Sequence, residues 1–265
     1  MKKILSVLLV LTLALTGIMA QPAAETASTK TEIVVFAAAS MTETLTTIKA
    51  AYEKANPGVT ITYNFDSSGT LLTQIKEGAE CDLFLSAAQK QMNALSELSM
   101  IDESTRVDLL ENKTALAVPA GNPKGITSFD QLASLLKAHE VFLAIGNSDV
   151  PVGQYTQKIF AYYGIDENEV ALAGCLTYGT NVKEVTTQVS LESVDCGIIY
   201  ATDAFSAGLE VVDTATSEMT GGRVIYPAAI LKDAKNAEAA RLLLDYLKSD
   251  EAMAVFASVG FASAL

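Results

Sequence analysis

Residues 32–45, EIVVFAAASMTETL, pass from a strand-forming run to a helix start within a few positions. Glu32-Ile33-Val34-Val35-Phe36 reads as a buried strand, and Met41, Leu45, Ile48 and Tyr52 then recur at spacings of 4, 3 and 4, one face of a helix. Asn56-Pro57-Gly58 stops that helix. Val59, Ile61, Tyr63 and Phe65 alternate as a half-buried strand, a helical pattern runs from Thr70 to Lys76, and Cys81 to Leu85 is a third strand. This is a βαβαβ unit. The same rhythm resumes downstream, with strands expected near 141–145, 171–176 and 197–200 and helices near 153–163 and 182–192. The Pro-Gly-rich stretch PAGNPKG at 119–125 marks the expected handover between the two units. A last strand-like run, Arg223 to Leu231, precedes two terminal helices and returns the chain to the first unit. The expected fold is therefore α/β, with two lobes and crossing strands between them.

Composition narrows the chemistry. Of 265 residues, 50% are hydrophobic and 18% charged, which fits a folded protein of one large or two medium domains. The net charge of −13 leaves no basic face for nucleic acid or an anionic membrane surface. One His (His139) and three Cys (81, 175 and 196) cannot build a Cys/His zinc cluster, and a Ser-His-Asp site would hang on that single His.

Lys2 and Lys3, the apolar run Ile4 to Leu15, and small residues at Gly17 and Ala20 give residues 1–20 the layout of a secretory signal. Its removal takes away two lysines and no acidic group, moving the net charge to −15. Leu15-Thr16-Gly17 would lead into a lipid-modified Cys, but position 18 is Ile, so the attachment atom is missing. Residues 21–30, QPAAETASTK, have tether composition. A periplasmic or otherwise extracytoplasmic location is expected.

Parallel sheets bind ligands at the carboxyl ends of their strands. After the first strand, Ser40 with Glu43 three residues on forms a capping-box pattern that a helix start alone would explain, while the three alanines before it leave backbone amides approachable. After the second strand, Asp66-Ser67-Ser68-Gly69-Thr70 is either a simple turn or an anion cradle at a helix start. In the second half, Pro151 opens a helix in Asp149-Val150-Pro151-Val152-Gly153, and Val182 opens another whose apolar face includes Val185 and Val189. Tyr200 ends the Cys196–Ile199 run with one rigid hydroxyl. Each of these has an ordinary structural explanation by itself. Together they would form an anion site without a Lys or Arg.

The strings VVFAAASMTETL, FDSSGTLLTQIKEGAECDLFLSA, DVPVGQYTQ, NVKEV and DCGIIYATDA, in this order and spacing, resemble the periplasmic molybdate-binding proteins of ABC uptake systems over residues 31 to 261. The resemblance implies the two-lobed type II periplasmic binding protein fold with hinge-crossing segments. Lobe 1 would comprise 31–114 plus 224–265, and lobe 2 would comprise 115–223. It implies a non-enzymatic role: a monomeric chain without a cofactor captures molybdate or tungstate and delivers it to an ABC transporter permease. By motif, the ligand contacts fall on Ser40, Ser68, Val152, Val182 and Tyr200, which would touch the metal only through its oxygens. The two valines would contribute backbone N–H groups; the family usually has Ala at the position of Val152. Molybdate is fully deprotonated at neutral pH, so donors alone suffice to hold it.

Asp66 departs from that pattern, since a small or neutral residue generally stands there. A carboxylate in the cleft would favour a protonated oxyanion such as hydrogen phosphate; as a turn residue facing solvent, the preferred reading, it would not. Two further rivals are a ferric-iron site using Tyr162 and Tyr163, and a serine hydrolase using Ser40 or Ser68 with His139 as base. Cys175 and Cys196 lie on expected strands of the second unit and could pair in an exported protein if those strands are neighbours; three reduced thiols are the alternative.

Overall fold

The computed structural model describes residues 30–265; the secretory segment at 1–20 and the tether up to residue 29 lie outside the described residues. Within it, β1 (Thr31–Ala38), α1 (Thr42–Ala55), β2 (Val59–Asp66), α2 (Ser68–Lys76), β3 (Leu83–Leu85), α3 (Gln89–Glu97) and β4 (Val107–Asn112) follow in order. The chain continues through β5 (Thr114–Val118), α4 (Phe129–Lys137), β6 (Leu143–Gly146), α5 (Pro151–Tyr163), α6 (Glu167–Leu172), β7 (Leu176–Gly179) and α7 (Val182–Ser190). It ends with β8 (Cys196–Tyr200), α8 (Ala201–Ala207), β9 (Glu210–Thr214), α9 (Ser217–Thr220), β10 (Val224–Ile230), α10 (Ala237–Leu247), α11 (Asp250–Ser258) and β11 (Ala262–Ser263).

Two mixed sheets result, one of order β11-β4-β10-β3-β1-β2 and one of order β7-β6-β8-β5-β9. Both repeat one plan. Three parallel strands stand in the order second, first, third, and beside the third runs an antiparallel strand, β10 or β5, that has just arrived from the other sheet. The chain leaves the first sheet at Lys113, because Thr114 already pairs with Tyr200, and it returns between Thr214 and Val224. The crossing thus precedes the Pro119–Gly125 turn where composition placed it. On β10 the register with β4 slips between Tyr226 and Pro227. A proline has no N–H to give the ladder, so a slip there leaves no donor unmet.

Burial follows from the strand pattern. Ile33, Val35 and Ala37 of β1 face a core shared with α1, whose Leu45, Ile48 and Tyr52 are buried, while Phe36 packs on the opposite face with Leu71, Ile75 and Phe84. A central parallel strand covered on both faces needs the near-continuous apolar run that 33–38 supplies. The first core continues through the cleft to Val182, Val185 and Tyr200, so the lobes share apolar contact.

Two expectations change. The strand expected at 171–176 begins only at Leu176; Asp166 accepts from the amides of Asn168 and Glu169, so Val170 to Leu172 close a short helix, and Gly174 at φ +76° turns the chain into β7. The Cys175–Cys196 bridge is also ruled out by register. β6 lies between β7 and β8: the Leu143 amide donates to the Cys175 carbonyl, and Leu143 stands opposite Cys196. Two strand spacings of about 4.8 Å each exceed the roughly 7 Å Cα limit for a disulfide. All three cysteines are free and buried, and burial raises the Cys81 thiol to about 12. Mass spectrometry of unreduced, exported protein should therefore show no Cys175–Cys196 peptide and alkylation of all three thiols only after unfolding; a linked peptide would contradict this register.

Candidate functional site

The shared plan of the sheets sends six loops to one place. β1, β2 and β3 end at Ala38, Asp66 and Leu85, and β6, β7 and β8 end at Gly146, Gly179 and Tyr200. The segments that follow meet at a small cavity lined by Ala38, Ala39, Ser40, Asp66, Ser67, Ser68, Ala87, Val150, Pro151, Val152, Val182 and Tyr200. All five positions singled out by motif line it, contributed by both lobes. No Lys or Arg does.

Ser40 does not cap a helix. Residues Ala39–Met41 form a 3₁₀ turn, α1 starts at Thr42 without a side-chain cap, and Ser40 Oγ instead lies 2.9 Å from the Tyr226 hydroxyl. Ser67 is the residue that caps α2, accepting from the Thr70 amide. Ser68 Oγ accepts from the Ala87 amide at 2.9 Å, which fills an acceptor position and leaves its O–H to be donated elsewhere. Neither serine hydroxyl is consumed by its own helix.

Val152 and Val182 stand in the first turns of α5 and α7, where backbone N–H groups have no intrahelical partner and the helix dipole favours an anion. Pro151 opens α5, and Asn181 caps α7 through the Glu184 amide. The glycine of the VPVG string has a packing reason: a Cβ on Gly153 would fall 2.3 Å from the Gly146 carbonyl oxygen. Only a bare backbone lets α5 press onto the end of β6 and bring its first turn to the cavity. Tyr200 is fully buried, and its hydroxyl has no hydrogen-bond partner among the described residues. Burial holds this phenol well above its usual range, so it remains a neutral donor.

Asp66 is not the solvent-facing turn residue expected. It is half-buried at the cavity wall, its Oδ1 accepts from the Ser67 amide at 2.7 Å, and Asn181 reaches the same oxygen from the other lobe at 3.4 Å. Those two donors occupy this carboxylate oxygen. The rival residues lie elsewhere: His139 precedes β6, at the end of that sheet opposite the cavity, and Tyr163 donates to Asp130 at 2.8 Å from the far end of α5. His139 is thus not placed to serve either serine as a base.

Sequence reasoning missed the contacts that hold the lobes together. Lys183 Nζ lies 2.8 Å from both carboxylate oxygens of Glu43 across the cleft and 3.1 Å from Asp203 Oδ1 beneath it. Desolvation works against the Lys183 ammonium, but the two carboxylates outweigh it and its pKa is raised. Burial raises Asp203 to about 6, partly offset by Lys183 and reinforced by Glu43. On the other side of the cleft, Gly69 abuts Asp149 so closely that a Cβ would sit 2.1 Å from the Asp149 carbonyl oxygen. Lys183, Asp203 and Gly69 stand inside the NVKEV, GIIYATDA and SSGTL strings, yet nothing in the one-dimensional pattern says that they face another lobe.

The sequence profile described as "Bacterial extracellular solute-binding protein" matches residues 33–262. The chain belongs to that family. The YvgL protein of Bacillus subtilis, named as an ABC transporter substrate-binding lipoprotein, is 35% identical over 234 residues, covering 88% of this chain and 86% of the relative. The molybdate-binding protein ModA of Escherichia coli is 33% identical over 235 residues, covering 87% and 88%. A solved substrate-binding domain assigned to a molybdenum ABC transporter of Clostridium difficile superposes with a TM-score of 0.65 at 30% identity, covering 89% of this chain and all of that one. Membership places this solute-binding protein outside the cytoplasm, and no helix among the described residues is long and apolar enough to cross a membrane.

The raised Asp203 pKa has a testable sign. Between pH 3.8 and about 6 the folded protein holds a proton at Asp203 that the unfolded chain has released, so this group's contribution to stability falls as pH rises through that window. Asp203→Asn cannot ionise, and its melting temperature relative to wild type should climb from pH 4 to pH 6 by roughly 2 °C or more. Scanning calorimetry across that range checks it; a relative fall would contradict the burial cost.

Proposed function

We propose that this protein captures molybdate, and tungstate, between its two lobes and delivers the ion to an ABC transporter permease, acting as a monomer that breaks no bond and needs no resident cofactor. The observation that carries this reading is the cavity itself: its candidate contacts are two serine hydroxyls, a partnerless tyrosine hydroxyl and helix-start amides, drawn from both lobes and without any cation. Such a set suits a fully deprotonated oxyanion. The relatives named for molybdate or molybdenum point to the same ligand.

In this reading Ser40 and Ser68 donate from lobe 1, and the Val152 and Val182 amides with the Tyr200 hydroxyl donate from lobe 2. Burying a dianion costs several kcal/mol or more per charge, and charge-assisted hydrogen bonds of about 1.5–3 kcal/mol each offset it only when both sets are engaged. Ligand binding therefore favours the closed arrangement, and the empty protein samples an open one. Closure joins the lobe surfaces into the face a permease would meet. Export through the amino-terminal segment to the periplasm or an equivalent extracytoplasmic space completes the role.

Calorimetric titration of ligand-stripped protein should give tight molybdate and tungstate binding, weak sulfate binding, because that smaller ion does not span both lobes, and negligible phosphate binding. Tyr200→Phe should weaken molybdate by about 1–3 kcal/mol with the fold intact. Phosphate binding tighter than molybdate would overturn the assignment and make the Asp66 carboxylate an acceptor for the ligand's proton.

A further inference from the structure

Behind Ser40 lies a buried chain of hydrogen bonds whose direction is fixed as far as Tyr226. The Lys113 amide, the peptide where the chain crosses between sheets, donates to Asn112 Oδ1 at 2.8 Å. That sets the orientation of the Asn112 side chain, so its nitrogen faces the other way. Asn112 Nδ2 donates to Thr202 Oγ1 at 2.9 Å in the first turn of α8 and to the Tyr226 hydroxyl at 3.1 Å on β10. Asn112 takes one lone pair of Tyr226 and leaves the phenol proton to be placed; at the 2.9 Å contact between Tyr226 and Ser40 Oγ either hydroxyl can donate. Where Tyr226 places its proton on Ser40, the Ser40 O–H is left for the cavity.

We propose that Asn112 and Tyr226 are positioning residues: they fix Ser40 as a hydrogen-bond donor toward the cleft and thereby bias the site toward fully deprotonated oxyanions over protonated ones. Asn112, Tyr226, Thr202 and Ser40 are all buried, so no bulk water offers either partner a different bond. Burial, ahead of the nearby Asp203 charge, keeps the Tyr226 phenol well above its usual range, and it retains the proton the relay passes on. Ser68 likewise accepts from the Ala87 amide, so its proton too is free to be donated to a ligand. A hydrogen phosphate needs an acceptor in its site; each serine has already spent one lone pair, and the Asp66 carboxylate at the wall is held by the Ser67 amide and Asn181. Because the relay starts at Lys113 and also reaches Thr202 in lobe 2, it ties the donor direction of a ligand contact to the hinge.

The inference rests on the oxyanion reading, and Asn112→Asp tests it separately. The replacement carboxylate is nearly isosteric and only accepts toward Tyr226, so Tyr226 would donate to it and accept from Ser40, turning the Ser40 O–H away from the cavity. Molybdate affinity should fall roughly tenfold or more while phosphate affinity, measured by displacement, stays level or rises. In a Ser40→Ala background the same change should have little further effect. Tyr226→Phe, which leaves no buried charge, should lower the molybdate-to-phosphate ratio in the same direction and serves if Asn112→Asp does not fold. An unchanged ratio in the folded variants, or a full additional loss in the Ser40→Ala background, would overturn the relay. Wild-type binding in the same titrations reports on the ligand assignment; the ratio between variants reports on the relay alone.

Discussion

An oxyanion buried without a counter-cation must meet hydrogen-bond donors on every side, and that constraint organises the molecule around the cleft. Backbone amides can only donate, which favours helix first turns at the ends of β6 and β7. Hydroxyls can do either, so each needs its acceptor side filled by something else. Ser68 receives the Ala87 amide, and Ser40 Oγ lies 2.9 Å from the Tyr226 hydroxyl. The Tyr200 hydroxyl is left without a partner among the described residues, and Tyr200 lines the cavity, where a ligand oxygen would complete it. An acidic protein can hold an anion this way because dipoles act at contact, whereas net charge is screened over about 8 Å at physiological salt.

Closing two lobes over such a site brings costs of its own. Asp203 is buried with neither oxygen in a well-formed hydrogen bond, and Lys183 is the cation beside it. The same ammonium bridges to Glu43 in the other lobe, so one lysine compensates a buried charge and ties the cleft shut. Opening would remove Glu43 from it and leave the Asp203 pair in place. Gly69 provides the steric counterpart: the approach of α2 to Asp149 has no room for a side chain. Lys183 therefore stands one residue beyond the Val182 amide without serving the ligand.

Much of this was legible in the chain. The run at 32–36 and the 4, 3, 4 spacing after it located β1 and α1, and repetition of the rhythm gave two α/β units. Ser40, Ser68, Val152, Val182 and Tyr200, read from motif strings, all line one cavity. What escaped was three-dimensional in origin. Strand order decides whether Cys175 can reach Cys196, and β6 lies between them. Composition pointed past the crossing at Lys113, because an extended chain passing from one sheet to another needs no Pro or Gly; the 114/115 lobe boundary implied by the family resemblance lies beside it. Asn112, Tyr226 and Thr202 are far apart in sequence, and each is an unremarkable polar residue until the fold sets them side by side. Asp66 looked like a turn residue because its amide contact is local; its partner Asn181 is contributed by the other lobe.

The central claim is that one oxyanion is held by donors from both lobes, and anomalous diffraction at the molybdenum edge from crystals grown with molybdate tests it most directly. A single strong peak is expected in the cavity, within hydrogen-bonding reach, through its oxygens, of Ser40, Ser68, Val152, Val182 and Tyr200. A peak coordinated by one lobe only, or located away from this cavity, would contradict it.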